Sequence, residues 1–293
     1  MKKGKTISGG INDWHGFYPD LQMEVYHGGS EISSTNLRDA ESSVALGIHK
    51  KRNPSVSTQA MINGTAGHFA IQEPAQFSVE YVPAPSGIDR RTKAGKQEYA
   101  EFQEACGDAT ILEPEIYEAC QIVSEKCWKH PEAKHLLEAA EFEISGFASI
   151  EDLPCKARPD LDVTDLLSDL VDIKTRQLGA ASRDVWLRDF VNHKVYLQAG
   201  LQIDIWRELG CDVEHYWYLL VELAPPYQVN LLPLDQEWIA LAVTEARGAC
   251  RRWKAWLDNR GEDSAGPGYP TGQAPLAVPG WVRRKFEESE NGN

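Results

Sequence analysis

RPDLDVTDLLSDLVDIKT, residues 158–175, carries five aspartates and one lysine in eighteen positions. Apolar residues flank the acids in two short runs, 161–163 and 170–173, which predict two strands. Either the acids form a solvated loop between ordinary strands, or some of them converge on a cation. The choice decides the fold, because convergence requires the two strands to be neighbours in one sheet.

Side chains alternate across a sheet. In LVDIKT, Asp172 and Lys174 therefore share one face, and Val171, Ile173 and Thr175 take the other. Ile173 can enter the core and leave its carbonyl near the acidic face. In RPDLDV the same rule puts Arg158, Asp160 and Asp162 opposite Pro159, Leu161 and Val163. Carboxylates so placed repel one another and raise each other's pKa. A Mg²⁺ or Mn²⁺ ion removes that conflict, since hard cations take oxygen ligands and keep several waters. It would also activate a water and polarise a phosphoryl oxygen. Lys174 would stand beside the attacking water, as general base or charge stabiliser, and the sequence leaves that choice open. Asp165 and Asp169 read as solvated residues of the connection, and Asp162 has no assigned role. A D-x-K pair at a strand end is common in ordinary proteins; RPD at hairpin spacing is what favours a site.

Working outward, EFEISGFASI (141–150) and LPCKARPDLDV (153–163) read as a hairpin, and LSDLVDIKT (167–175) as a strand. A long helix is expected at about 182–209, then strands in EHYWYLLVEL (214–223) and YQVNLLPL (227–234), and a last helix over 235–258. Upstream, SSTNLRDAESSVALGIHKK (33–51) opens on serine and threonine cap candidates and then shows helical spacing. NGTAGHFAIQEP (63–74) reads as a short helix stopped by Pro74, and 96–106 and 113–130 also read as helices. The order implies an α/β fold, with a central mixed sheet flanked by helices and a helical N-terminal elaboration. We expect one domain over 1–260, with an irregular arm at 1–30 and a catalytic core at about 60–235. An extended tail follows at 261–293.

The 293 residues are 42% hydrophobic and 25% charged, within the globular range. A net charge of −14 argues against a broad basic coat for nucleic acid, though not against basic residues confined to a groove. The six cysteines are scattered without a CxxC pair, which excludes zinc-ribbon and iron–sulfur spacings. The first residues, MKKGKTISGGINDW, are basic without an apolar h-region, and no run approaches 18 apolar residues, so a reducing cytoplasmic setting with no membrane partner is expected.

RPD followed twelve residues later by DIK resembles the PD-(D/E)xK nuclease superfamily, with Asp160, Asp172 and Lys174 in the motif positions. Together with GTAGHFAIQEP and RRTKAGK upstream, the ordered set is similar to the nuclease domain of the RecE-type exonuclease VIII family, which is RecB-like. The likeness runs over about residues 26–260. It implies a PD-(D/E)xK core and a metal set of His68, Asp160, Asp172 and the Ile173 carbonyl. By itself a lone histidine on a helix is more often structural. Glu73 lies about 140° round from His68 and is a poor co-ligand. Imidazole suits Mn²⁺ better than Mg²⁺, so Mn²⁺ stands beside Mg²⁺ as a possible cofactor.

In YLQAGLQIDIW (196–206), Gln198 matches the glutamine of a Gln-x-x-x-Tyr motif of RecB-like nucleases, while Gln202 occupies the tyrosine position. One turn separates them, so both can face the site. Arg90, Arg91, Lys93 and Lys96 of DRRTKAGK are candidates, with Gln198, to hold a DNA backbone; otherwise they form a solvated loop. RRWK (251–254) and RRK (283–285) are weaker candidates. The resemblance further implies a Mg²⁺-dependent 5′-to-3′ exonuclease on the ends of linear double-stranded DNA, hydrolysing phosphodiesters with a metal-activated water. It also implies a homo-oligomeric ring and a single-strand annealing recombinase as partner. The alternatives are a structure- or sequence-specific endonuclease of the same superfamily and a non-catalytic DNA-binding module.

Overall fold

The structure is a computed structural model that describes residues 14–261 and, beyond them, residues 269, 278, 280, 283 and 284. The first half runs β1 (Gly16–Tyr18), α1 (Met23–Gly28), α2 (Ser34–Asp39), α3 (Val44–Arg52), α4 (Gln59–Gln72) and α5 (Phe77–Glu80). Next come β2 (Tyr81–Pro83), α6 (Lys93–Cys106), β3 (Thr110–Leu112), α7 (Pro114–Lys129) and α8 (Pro131–Ala139). Five strands follow: β4 (Glu141–Phe142), β5 (Ser145–Ile150), β6 (Leu153–Ala157), β7 (Leu161–Val163) and β8 (Asp169–Arg176). After them come α9 (Arg183–Asn192), α10 (Tyr196–Glu208), β9 (His215–Glu222), β10 (Val229–Pro233) and α11 (Gln236–Arg260). Among the described residues, no helix is long and apolar enough to cross a membrane.

The central sheet is mixed, in the order β10-β9-β8-β7-β4. β8 and β9 are parallel and the other neighbours antiparallel. A parallel pair needs a long crossover, and α9 and α10 supply it. β1-β5-β6 form a second sheet, and β2-β3 a small parallel one.

Alternation along β8 distributes its side chains between two cores. Leu170 joins Tyr216, Tyr218, Leu220 and the apolar residues of α10 and α11. Val171 and Ile173 face the other way, onto Val123 and Cys127 of α7, Leu136 of α8 and Ile71 of α4. The even face of β8 thus carries Asp172 and Lys174 toward α10, as strand parity requires.

Two glycines bring α4 onto β8. A Cβ at Gly67 would stand 2.9 Å from Thr175 Cγ2, and one at Gly64 3.0 Å from Thr175 Oγ1. Their absent side chains let the helix lie close against the strand, which sets His68 beside the β7–β8 edge.

Four expectations are corrected. The helix expected at 182–209 divides, because Lys194 takes φ +51°. The Val195 N–H then bonds Phe190 O and the Lys194 N–H bonds Val191 O, a Schellman ending built without glycine. The helical stretch at 33–51 also divides. Ser33 caps α2 with Asn36 completing the box, and Ser43 caps α3 anew. The hairpin is β5 with β6 only. Residues 158–160 carry the chain from one sheet to the other, so alternation is broken there and Arg158, Asp160 and Asp162 do not converge. Finally, Asp169 is not solvated: it is 6% exposed and accepts from Trp217 Nε1 (3.1 Å) and His215 Nδ1 (2.8 Å).

The expected tail at 261–293 lies mostly outside the described residues, as do residues 1–13 of the expected arm. The remainder of that arm is partly regular, in β1 and α1.

Candidate active site

Pairing of β7 with β8 begins at Leu161↔Val171, so β8 beyond Val171 has no strand on that side. Asp160, one residue before β7, fills the gap with its side chain. Its Oδ2 accepts the Ile173 N–H at 2.5 Å. In an extended strand the N–H and C=O of one residue leave on the same edge. The Ile173 carbonyl is therefore directed to the side where Asp160 stands.

Around this edge the sequence candidates fall into two groups. His68 Nδ1 of α4 faces Asp160 Oδ1 at 3.4 Å. On β8, Lys174 Nζ pairs with Asp172 Oδ2. Gln198 of α10 bridges that pair: its Nε2 donates to Asp172 Oδ1 (2.6 Å), and its Oε1 accepts from Lys174 Nζ (3.0 Å). Gln198 is thus a side-chain orienter here, placed by the packing of α10 on the even face of the sheet.

Burial alone would raise the Asp160 carboxyl. The charge and hydrogen bond of His68, then Lys174 and the Ile173 N–H, outweigh burial and hold it below the usual range. Burial would lower the His68 imidazole, but Asp160 more than offsets this and raises it. Asp172 goes the opposite way from Asp160: burial lifts it, and Lys174 only partly compensates. Solvent moderates the His68–Asp160 shifts, because a quarter of the imidazole is exposed.

Glu143 was not among the sequence candidates. It sits in the turn between β4 and β5 at φ +54° and reaches the same edge. Its Oε1 accepts from Gln72 Nε2 at 3.1 Å, and its Oε2 lies 3.8 Å from Arg158 Nη1. Burial, then the Asp160 charge, lifts its carboxyl to about 7, against offsets from Gln72, Arg158 and His68. An acid in EFEIS carries no local signal of this, since only the fold brings the turn to Asp160.

That shift has a sign. A carboxyl raised in the folded state contributes stability below its unfolded value near 4.5, and loses it as pH rises through about 7. In chelator, Glu143→Gln is expected to melt higher than the parent protein at pH 8. The gain should fade between pH 7 and 4.5. Thermal melts across that range check it, and a variant that melts lower at pH 8 contradicts it.

Other candidates lie apart from the edge. Arg158 turns to the N-terminal segment, donating to Leu21 O (2.7 Å) and Ser145 Oγ (2.8 Å) and covering the Tyr26 ring. Asp162 is 3% exposed and accepts from Trp206 Nε1 at 2.7 Å, a core role. Gln202 is equally buried: its Oε1 accepts the Tyr216 hydroxyl at 2.5 Å, and so it does not face the site with Gln198.

Arg90, Arg91, Lys93 and Lys96 are exposed around the start of α6. Arg90 pairs with Glu113 and lies over Tyr99, and Arg91 pairs with Asp89. Among the described residues, no hydrogen bond or ion pair joins them to the edge. In RRWK, Arg251 and Lys254 have acidic partners in Glu151 and Asp258, Arg252 pairs with Glu41, and Trp253 is buried.

Among the described residues, no group of three His, Cys, Asp or Glu side chains is arranged to hold a metal ion. The donor chemistry nonetheless fits a hard cation. Asp172 Oδ2 is buried and is met by Lys174 Nζ. Two carboxylates and a carbonyl on one edge, with water completing the shell, is the kind of set Mg²⁺ takes.

No protein-family model matches this chain, and no curated protein matches it. The fold is similar to the crystal structure of a candidate exonuclease from Eubacterium rectale, with a TM-score of 0.55 at 9% sequence identity. The alignment covers 90% of this chain and 98% of that one. At such identity the likeness speaks for the fold, and the chemistry must be argued from the side chains.

Proposed function

We propose that this chain is a metal-dependent deoxyribonuclease with a PD-(D/E)xK core, acting as a 5′-to-3′ exonuclease on the ends of linear double-stranded DNA. The observation that carries this reading is the open edge of β8. There Asp160 holds the Ile173 N–H, while Asp172, Lys174 and Gln198 form a closed network one residue to either side. The nuclease-like fold supports it.

In this reading Asp160, Asp172 and the Ile173 carbonyl hold the cation, with His68 as a further ligand once it gives up its proton. A bound Mg²⁺ or Mn²⁺ would supply Lewis-acid polarisation and a more acidic water. Lys174, oriented by Gln198, would stand beside the scissile phosphate and the attacking water. Arg90, Arg91, Lys93 and Lys96 would grip the phosphate backbone outside the site. The RecE-type likeness extends the proposal to a homo-oligomeric ring in recombination, beside a single-strand annealing recombinase.

A time course on 5′-labelled linear duplex, with Mg²⁺, Mn²⁺ or Ca²⁺ supplied separately, tests activity, polarity and metal together. Mononucleotides released early from the labelled end, in Mg²⁺ or Mn²⁺ only, are the expected result. Cleavage of covalently closed circles would instead identify an endonuclease. No cleavage with any ion would overturn the proposal.

A further inference from the structure

Asp160 lies outside every strand, so no ladder fixes its backbone. Its carbonyl is instead held by the Glu143 N–H (3.4 Å) and by the side chain of Gln72, whose Nε2 donates at 3.0 Å. The same Nε2 donates to Glu143 Oε1 at 3.1 Å. Gln72 is 6% exposed and follows His68 by one turn of α4. One face of one helix therefore grips Asp160 twice, His68 at the carboxylate and Gln72 at the carbonyl.

A buried amide is retained at a cost in side-chain entropy and desolvation, which an apolar residue would avoid. What the amide adds is hydrogen bonding, and both acceptors of its Nε2 belong to the site.

We propose that Gln72 is a positioning residue: by holding the Asp160 carbonyl it fixes that carboxylate against Ile173, and so sets the affinity of the site for a divalent cation. The cation half rests on the metal-dependent reading above. The positioning half concerns the metal-free protein and can be measured without it.

Gln72→Met keeps the length and flexibility of the side chain and removes its donor. In metal-free protein, the Ile173 amide should exchange with solvent about tenfold faster in the variant. Amides in the middle of β9 should keep their rates. Mn²⁺ titration should show affinity weakened by about tenfold or more, the usual effect of losing a group that orients a ligand. At saturating metal, kcat should stay within about threefold of the parent protein, whereas a merely structural role would not separate metal affinity from turnover. If Gln72→Met does not fold, Gln72→Leu, which also lacks the donor and adds no charge beside Glu143, carries the same comparison.

Unchanged Ile173 exchange in a folded variant overturns the positioning role. Faster exchange with unchanged Mn²⁺ affinity overturns the link to the cation. If Ile173 responds but the parent protein binds no Mn²⁺ and cuts no DNA, the nuclease reading falls and the positioning role stands.

Discussion

Asp172→Ala and Lys174→Ala are each expected to lower metal-dependent release of nucleotides from linear duplex by about 10³-fold or more, the scale of removing one preorganised charge from an active site. Asp172 is 1% exposed and has two partners, Gln198 and Lys174, both of which lose their anchor when the carboxylate goes. The loss should therefore be in kcat as well as in metal affinity. Asp172→Asn separates chemistry from folding. Burial raises the Asp172 carboxyl above its usual range, so its negative charge is less favourable in the metal-free fold than in the unfolded chain, and a neutral isostere should not destabilise that protein in chelator. The comparison is a nuclease assay beside a thermal melt in chelator. Activity retained in the purified double variant Asp172→Ala, Lys174→Ala would sink the assignment.

Gly200→Ala is expected to cost about 3 kcal/mol of stability, at the upper end for overpacking. The added methyl would sit 2.0 Å from Ala242 O and 2.3 Å from its carbonyl carbon. Both are backbone atoms of α11, so no side chain can swing away, and the two helices must move apart. Ile203, Ile205 and Trp206 of α10 and Ile239 and Ala246 of α11 lie in that same core. The displacement would also carry Gln198 away from Asp172, so activity should fall with stability. Urea denaturation of the variant checks this, and a midpoint equal to that of the parent would show that the helices are not held at this contact.

How far the sequence led can be judged residue by residue. Strand parity placed Asp172 and Lys174 on one face because β8 is regular over its eight residues and buried on both faces through Ile173. The same rule failed at 158–163, because the chain changes sheets there. Pro159, which cannot donate to a ladder, stands inside that step. The α9–α10 break escaped notice because its left-handed residue is Lys194 rather than glycine. Glu143 and Gln72 were invisible for a different reason: each meets Asp160 only through tertiary packing, across 17 and 88 positions of chain. Asp169 looked like one more solvated acid until the indole of Trp217 came into place beside it.

The unpaired half of β8 has one further consequence. Free N–H and C=O groups on a strand edge are a template for another chain, and proteins that leave such edges bare tend to aggregate through them. Here the template is blocked from within: the Asp160 carboxylate caps the Ile173 N–H, and Lys174 and Arg176 place charge along the same stretch. The side chains that would bind a cation thus also guard a β-strand from adding a foreign neighbour. Loss of Asp160 would then show itself in solubility as well as in catalysis.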